Sequence, residues 1–162
     1  MDDFEAARKK CVITVDVLDY SRTLDLIAFG GIQGKLCVID AATMIFKGMY
    51  DAHKNTEIVG LYFYDSQREL VSLAVDGDVK LWDAQKMEVL QTVRSRGIIN
   101  KTSINSAYFC SHTATLLLAT SKIFKWNLKE DPETRILIEQ QHAVARDYLL
   151  QYRKGLEKTG VL

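Results

Sequence analysis

The chain has 162 residues, 48% of them hydrophobic and 26% charged, and Lys plus Arg and Asp plus Glu both count 21, so the formal net charge is zero. This composition is not that of a disordered chain, allows a packed core, and offers no global attraction for nucleic acid or an anionic membrane. Three cysteines (Cys11, Cys37, Cys110), a start reading MDDFEAARKK without the apolar core of a secretory signal, and no apolar run near the ~20 residues of a membrane-spanning helix point to a reducing, cytoplasmic location.

Residues 1–10 form a charged leading segment. Ile13, Val15 and Val17 then alternate with polar residues, and IAFGGIQGKLCVID (Ile27 to Asp40) sets glycines between two apolar runs. Both are strand signals. The stretch from Glu57 to Val93 divides into four runs of strand length: Glu57 to Tyr64, Glu69 to Val75, Asp78 to Asp83 and Met87 to Val93. Their separators, DSQR, Asp76-Gly77 and AQK, are short enough for hairpins, and Asp-Gly is among the strongest local hairpin signals. The result is a four-stranded antiparallel meander. Both of its faces are rich in Val, Leu, Phe and Tyr, so it has to be stacked on both sides. Farther on, TLLLATSKIFK (Thr115 to Lys125) leads into Trp126-Asn127, with Ser121-Lys122 where Asp-Gly stood. Asp131-Pro132-Glu133 has the cap-and-proline form of a helix start, and Ile138, Ala145, Leu149, Tyr152 and Leu156, joined by Val144 and Tyr148, fall on one helical stripe. A helix is predicted from about Gln141 to Lys154, its stripe free to pack on the sheets or on another protein. Arg135 to Ile138 reads as an outer strand or as the first part of that helix.

The runs repeat. IAFGGIQGKLCVID aligns without a gap on LVSLAVDGDVKLWD (Leu70 to Asp83) 43 residues later, and Trp126-Asn127 follows after 44 more. Units of this length with four strands, closing on Asp40, Asp83 and Asn127, resemble the blades of the WD-repeat β-propeller family. The resemblance covers about Cys11 to Ile138 and is specific in the middle unit. It implies an all-β fold: a partial β-propeller of about three four-stranded antiparallel blades (11–50, 51–94 and 95–138), followed by a C-terminal α-helix and tail (139–162). It also implies a structural network in the middle unit, with Trp82, Ser72, Asp76 and His53 hydrogen-bonded together. Such a network makes physical sense, because a buried indole N–H or imidazole without a partner costs about 1–3 kcal/mol. The first unit has Phe29, Gln33 and Ile39 at the positions of Ser72, Asp76 and Trp82, so apolar packing has to hold it. Three units do not close a ring, which leaves apolar faces at both ends, around Ile13, Val15 and Val17 and around Leu116, Leu117 and Leu118.

Candidate chemistry is sparse. Cys110-Ser111-His112 reads as a turn without a metal-ligand spacing. Gly30, Gly31 and Gly34 are followed by a strand and by no Gly-Lys-Ser/Thr, and Asp76 with Asp78 is too few for a calcium loop. Arg94 to Lys101 carries three basic residues without interleaved aromatics, as a solvated loop does. No catalytic residue, cofactor or metal is assigned. A hydrolase or redox enzyme using Cys110 or His53 is the weighed alternative to a non-catalytic protein-interaction scaffold, which binds other proteins or further blades and no membrane, nucleic acid or small molecule. The loops expected on one face nominate His53, Lys54, Asn55, Asp76, Asp78, Arg94, Arg96 and Lys101 as partner-binding residues, with Tyr148 and Tyr152 on the helix. At the level of fold, the pattern is also similar to segments of large cytoskeletal and ciliary WD-repeat proteins, which implies a structural subunit as a further alternative.

Overall fold

In the computed structural model, which describes residues 14–94, 104–120, 123–129 and 149–160, the apolar runs pair with their sequence neighbours into three antiparallel sheets. The first holds β1 (Val17–Ser21), β2 (Leu26–Gly30), β3 (Lys35–Asp40) and β4 (Phe46–Asp51) in that order. The second holds β5 (Ile58–Tyr64), β6 (Glu69–Ala74), β7 (Val79–Asp83) and β8 (Glu88–Val93). The third holds β9 (Ser106–Cys110), β10 (Thr115–Ala119) and β11 (Ile123–Asn127), with β10 in the middle. Each strand of the second sheet lies within one residue of the run read from the sequence. A helix, α1, spans 149–158 and runs past the end predicted at Lys154. The expected start at Asp131-Pro132-Glu133, the ambiguous Arg135 to Ile138 and the helix from Gln141 to Tyr148 lie outside the described residues.

Strand alternation divides the core between two interfaces. Leu70 and Trp82 of the second sheet pack with Leu36 and Val38 of the first, while Val71, Leu73 and Leu81 pack with Leu116, Leu118 and Trp126 of the third. The middle sheet is therefore covered on both sides, which is why β6 reads as an almost unbroken apolar run. The first strands of neighbouring sheets converge, β1 lying against β5. There Asp19 Oδ2 accepts the Phe63 N–H (2.7 Å), and Asp65 accepts the Ser21 hydroxyl (2.6 Å) and the Arg22 N–H (3.1 Å). Lys129 Nζ donates to Glu69 Oε2 (2.8 Å) across the second junction, and Tyr62 sits 6.0 Å from Phe109.

The repeat extends to backbone detail. Bulges fall between Val38 and Ile39 and again between Leu81 and Trp82, and Met44 (φ 57) matches Met87 (φ 55) in the following turns. Asp76-Gly77, a two-residue turn by its sequence, is part of a three-residue one: Ala74 N donates to Asp78 O (2.9 Å) around Val75, Asp76 and Gly77. Gly77 alone among the three has positive φ (88), so the loop is a type I turn closed by a left-handed glycine; the primed two-residue turn would require positive φ at both central positions. Gly34 (φ 71) closes the matching turn of the first sheet.

The predicted apolar ends need correction. Leu116 and Leu118 are buried against the second sheet, and only Leu117 points away, because neighbours on a strand face opposite ways. At the other end β1 begins at Val17, which packs inward, so that Leu18 and Tyr20 face out; Val15 precedes the strand, and Ile13 lies outside the described residues.

Candidate interaction site at the junction of the first two sheets

The site is assembled by the segment between β4 and β5. The Gly34 carbonyl accepts the His53 N–H (3.0 Å), and the His53 carbonyl accepts the Thr56 N–H (2.9 Å). Gly34 has to be glycine here: its φ is positive, and a Cβ would collide with the His53 carbonyl oxygen. The imidazole so delivered reaches the second sheet, where Nε2 lies 2.8 Å from Ser72 Oγ. The same hydroxyl accepts the Trp82 Nε1–H at 2.9 Å. An indole can only donate, so Ser72 spends a lone pair on it, and the tautomer protonated at Nδ1 lets Ser72 donate its own proton to His53. The Tyr50 ring stands 6.2 Å from the indole, and Lys80 Nζ lies 6.0 Å from the centre of the Trp82 ring.

Burial, and then the positive charge of Lys80, lower the His53 pKa to about 4 against the opposing pull of Asp76 and Asp78. The ring is neutral at pH 7. Asp76 stands on the exposed turn, where its Oδ1 accepts the Asp78 N–H (3.0 Å), and it acts on His53 through its charge. The structure thus gathers Trp82, Ser72 and His53 directly, with Asp76 at the rim. A serine–histidine pair invites a nucleophilic reading, but the Ser72 side chain is fully buried and its oxygen is already engaged twice.

Outside this buried network lies a cleft of about 250 Å³, lined by Lys54, Thr56, Asp76, Asp78, Lys80 and Arg94, with His53 in its wall. Arg94 Nη1 stands 3.9 Å from Asp78 Oδ2. Of the partner-binding candidates, His53, Lys54, Asp76, Asp78 and Arg94 meet here, and Asn55 (φ 54) is exposed on the same loop. Tyr152 is exposed on α1. Arg96, Lys101 and Tyr148 lie outside the described residues. Lys80 was missed, although the period of two that places Trp82 on this side places Lys80 there too.

The carboxylate beside each strand-closing position has its own task. Asp83 Oδ1 accepts the N–H groups of Gln85 and Lys86 (both 2.9 Å), Asp40 Oδ1 accepts that of Thr43 (2.9 Å), and Asn127 Oδ1 accepts that of Lys129 (3.0 Å). Trp82 anchors the sheet, while Asp83 shapes the turn into the outer strand. These bonds, led by those from Lys86 and Thr43, hold the Asp83 and Asp40 carboxyls below their usual range. Cys110 ends β9 ahead of a turn over 111–114; hydrogen bonds from the Thr113 side chain and then from the Thr113 and His112 backbone lower its thiol pKa. Among the described residues no three His, Cys, Asp or Glu side chains group as metal ligands.

No protein-family model and no curated protein sequence matches the chain. Solved structures do match. The β-propeller domain of Myceliophteria thermophila Cps50 (Swd1) superposes with a TM-score of 0.58 at 21% identity, covering 72% of this chain and 36% of that one. The fold is a partial β-propeller. Chaetomium thermophilum Raptor superposes with a TM-score of 0.63 at 19% identity, over 75% of this chain and 12% of the other. The chain spans well under two thirds of either structure, and likeness at this level is likeness of fold. The three sheets are accordingly blades 1, 2 and 3, with β1, β5 and β9 innermost.

Proposed function

We propose that the chain is a non-catalytic protein-interaction scaffold, a piece of a larger cytoplasmic protein or complex, which presents the cleft between blades 1 and 2 to another protein. The observation that carries this reading is the pairing of a rigid buried network with a solvent-facing rim of both charges, Lys54 and Arg94 beside Asp76 and Asp78. Balanced charge suits the polar side chains and backbone of a protein partner better than a polyanion, which calls for a one-signed surface. The groups that could do chemistry support the same reading: His53 is neutral and held by Ser72, Ser72 is out of reach of a substrate, and Cys110 lies on blade 3, apart from His53.

Charge reversal at the rim tests the proposal. Lys54→Glu and Arg94→Glu, on tagged chain recovered with its stably bound proteins, should lower their yield about ten-fold or more, the effect of losing about 1.4 kcal/mol. Arg68→Glu and Lys86→Glu, on the opposite edge, should leave the yield unchanged. Losses confined to the latter pair would overturn the assignment of the binding face.

A further inference from the structure

Charge by charge, the cleft between blades 1 and 2 holds one cation in excess. With His53 neutral, Lys54, Lys80 and Arg94 are set against Asp76 and Asp78. Both carboxylates are already engaged: Asp78 Oδ2 stands 3.9 Å from Arg94 Nη1, and Asp76 Oδ1 accepts the Asp78 N–H at 3.0 Å. Among the described residues no carboxylate forms an ion pair with Lys54 or Lys80. Lys80 is the more informative of the two. It sits in mid-sheet, in register between Ser72 of β6 and Thr92 of β8, half-buried and with its ammonium 6.0 Å from the centre of the Trp82 ring. A lysine stem is flexible and usually carries its charge out into water. This one keeps it at the cleft wall, close enough that, after burial itself, the Lys80 charge is the main cause of the lowered His53 pKa of about 4. A cation partly withdrawn from water and left without a counter-charge gains more from an arriving anion than an exposed one does.

Size and donor chemistry narrow the anion. The cleft volume of about 250 Å³ lies below the roughly 300 Å³ at which sites for drug-sized ligands begin, so it suits a single side chain. A phosphate dianion would set its second charge against Asp76 and Asp78, and phosphate readers rely on clustered arginines, whereas Arg94 already faces Asp78. Chain-terminal carboxylates are captured by nests of backbone N–H groups, but here the amides of Ala52, His53, Thr56 and Asp78 are committed to Tyr50, Gly34, His53 and Asp76. Recognition falls chiefly to side chains. Resting on the reading of this cleft as a protein-binding site, we infer that it receives the side-chain carboxylate of a glutamate or aspartate in the partner, held by Lys80 and Lys54. Thr92, opposite Lys80 and lining the same cleft, adds a hydroxyl donor.

Titrating the isotope-labelled full chain with short capped peptide libraries, alike in their uncharged random flanks and differing in a central Glu, Gln or phosphoserine, tests this. Resonances of the Thr56 and Asp78 amides and of the Trp82 indole N–H report binding at the cleft. The Glu library should bind at least about ten-fold more tightly than the Gln library, the effect of one charge-assisted hydrogen bond. Lys80→Met keeps an unbranched stem beside the Trp82 ring and removes the charge, so it should bring the two libraries within about two-fold of each other. Lys80→Arg should preserve the preference, and Lys86→Met on the opposite edge should leave it unchanged. Circular dichroism checks that Lys80→Met folds, and Lys80→Gln replaces it if it does not. A Glu library that binds no better than the Gln library, a phosphoserine library that binds more tightly than both, or a Gln library that matches the Glu library once its C-terminus is left free would each overturn the inference. Such a failure, with Lys54→Glu and Arg94→Glu still lowering the recovery of bound proteins, would remove the carboxylate and keep the binding face; failure of both experiments would remove the face itself.

Discussion

Removing the hydroxyl at Ser72 probes the network that fixes the interaction loop. The Ser72 side chain is fully buried, accepts from Trp82 Nε1 at 2.9 Å and meets His53 Nε2 at 2.8 Å. Ser72→Ala leaves an indole donor and an imidazole nitrogen without their partner in the core. Each such group costs about 1–3 kcal/mol, so a loss of about 3 kcal/mol is expected. Trp82→Phe keeps an aromatic ring among Leu36, Val38 and Leu70 but removes the donor and part of the volume, for a loss of about 1–2 kcal/mol. In the double variant the orphaned indole no longer exists. Its cost should therefore fall short of the summed single losses by about 1–2 kcal/mol. Urea unfolding followed by far-ultraviolet circular dichroism, at one protein concentration so that self-association does not enter the comparison, measures all four species. Additivity to within about 0.5 kcal/mol would refute the shared hydrogen bond as a source of stability.

Acid should weaken the fold through His53. The folded ring remains neutral down to about pH 4, whereas the unfolded ring takes up its proton below about pH 6.5, so the unfolded state binds more protons in that window. Stability accordingly falls as pH drops from 6.5 towards 4, by up to about 3 kcal/mol, and His53→Gln should flatten that part of the profile in pH-dependent urea melts. Asp40 and Asp83, whose folded carboxyls titrate below the usual value of 3.8, withdraw their contribution only at lower pH, so the two effects separate. Gly34→Ala should cost more than about 2 kcal/mol, since it adds a strained positive φ to a collision with the His53 carbonyl; Gly155→Ala on α1, with nothing within 4 Å of its added methyl, should raise helicity at a gain of about 0.5–1 kcal/mol. A thermal melt and a helix-region circular dichroism spectrum of each check the pair.

The architecture was legible because a blade writes itself into local pattern: a period of two along each run, short polar separators, and the same order again 43 residues later. What the pattern left out depends on direction in space. The sequence reading treated Leu116, Leu117 and Leu118 as one exposed face, yet alternation sends the first and third into the core, and only register with β11 says which way. Asp76 was placed inside the network by its position in the repeat, whereas the three-residue turn lifts it to the rim. The structural role of Gly34 was also invisible. It follows from the return of the chain across that turn some twenty residues later, a contact that no local composition encodes. Lys80 lies two positions from Trp82 on the same strand face, within reach of the same alternation, but its apolar neighbours dominate the local signal.

The central claim is that the cleft side of blades 1 and 2 is the surface on which another protein binds. Amide hydrogen exchange of the chain, alone and within a native complex recovered from cells, tests it most directly. Protection on complex formation is predicted at 53–56, at 76–78 and at Arg94, where the loops of the two blades meet. Protection confined to Asp65 to Arg68 and Ala84 to Lys86, the turns of the opposite edge, would contradict it.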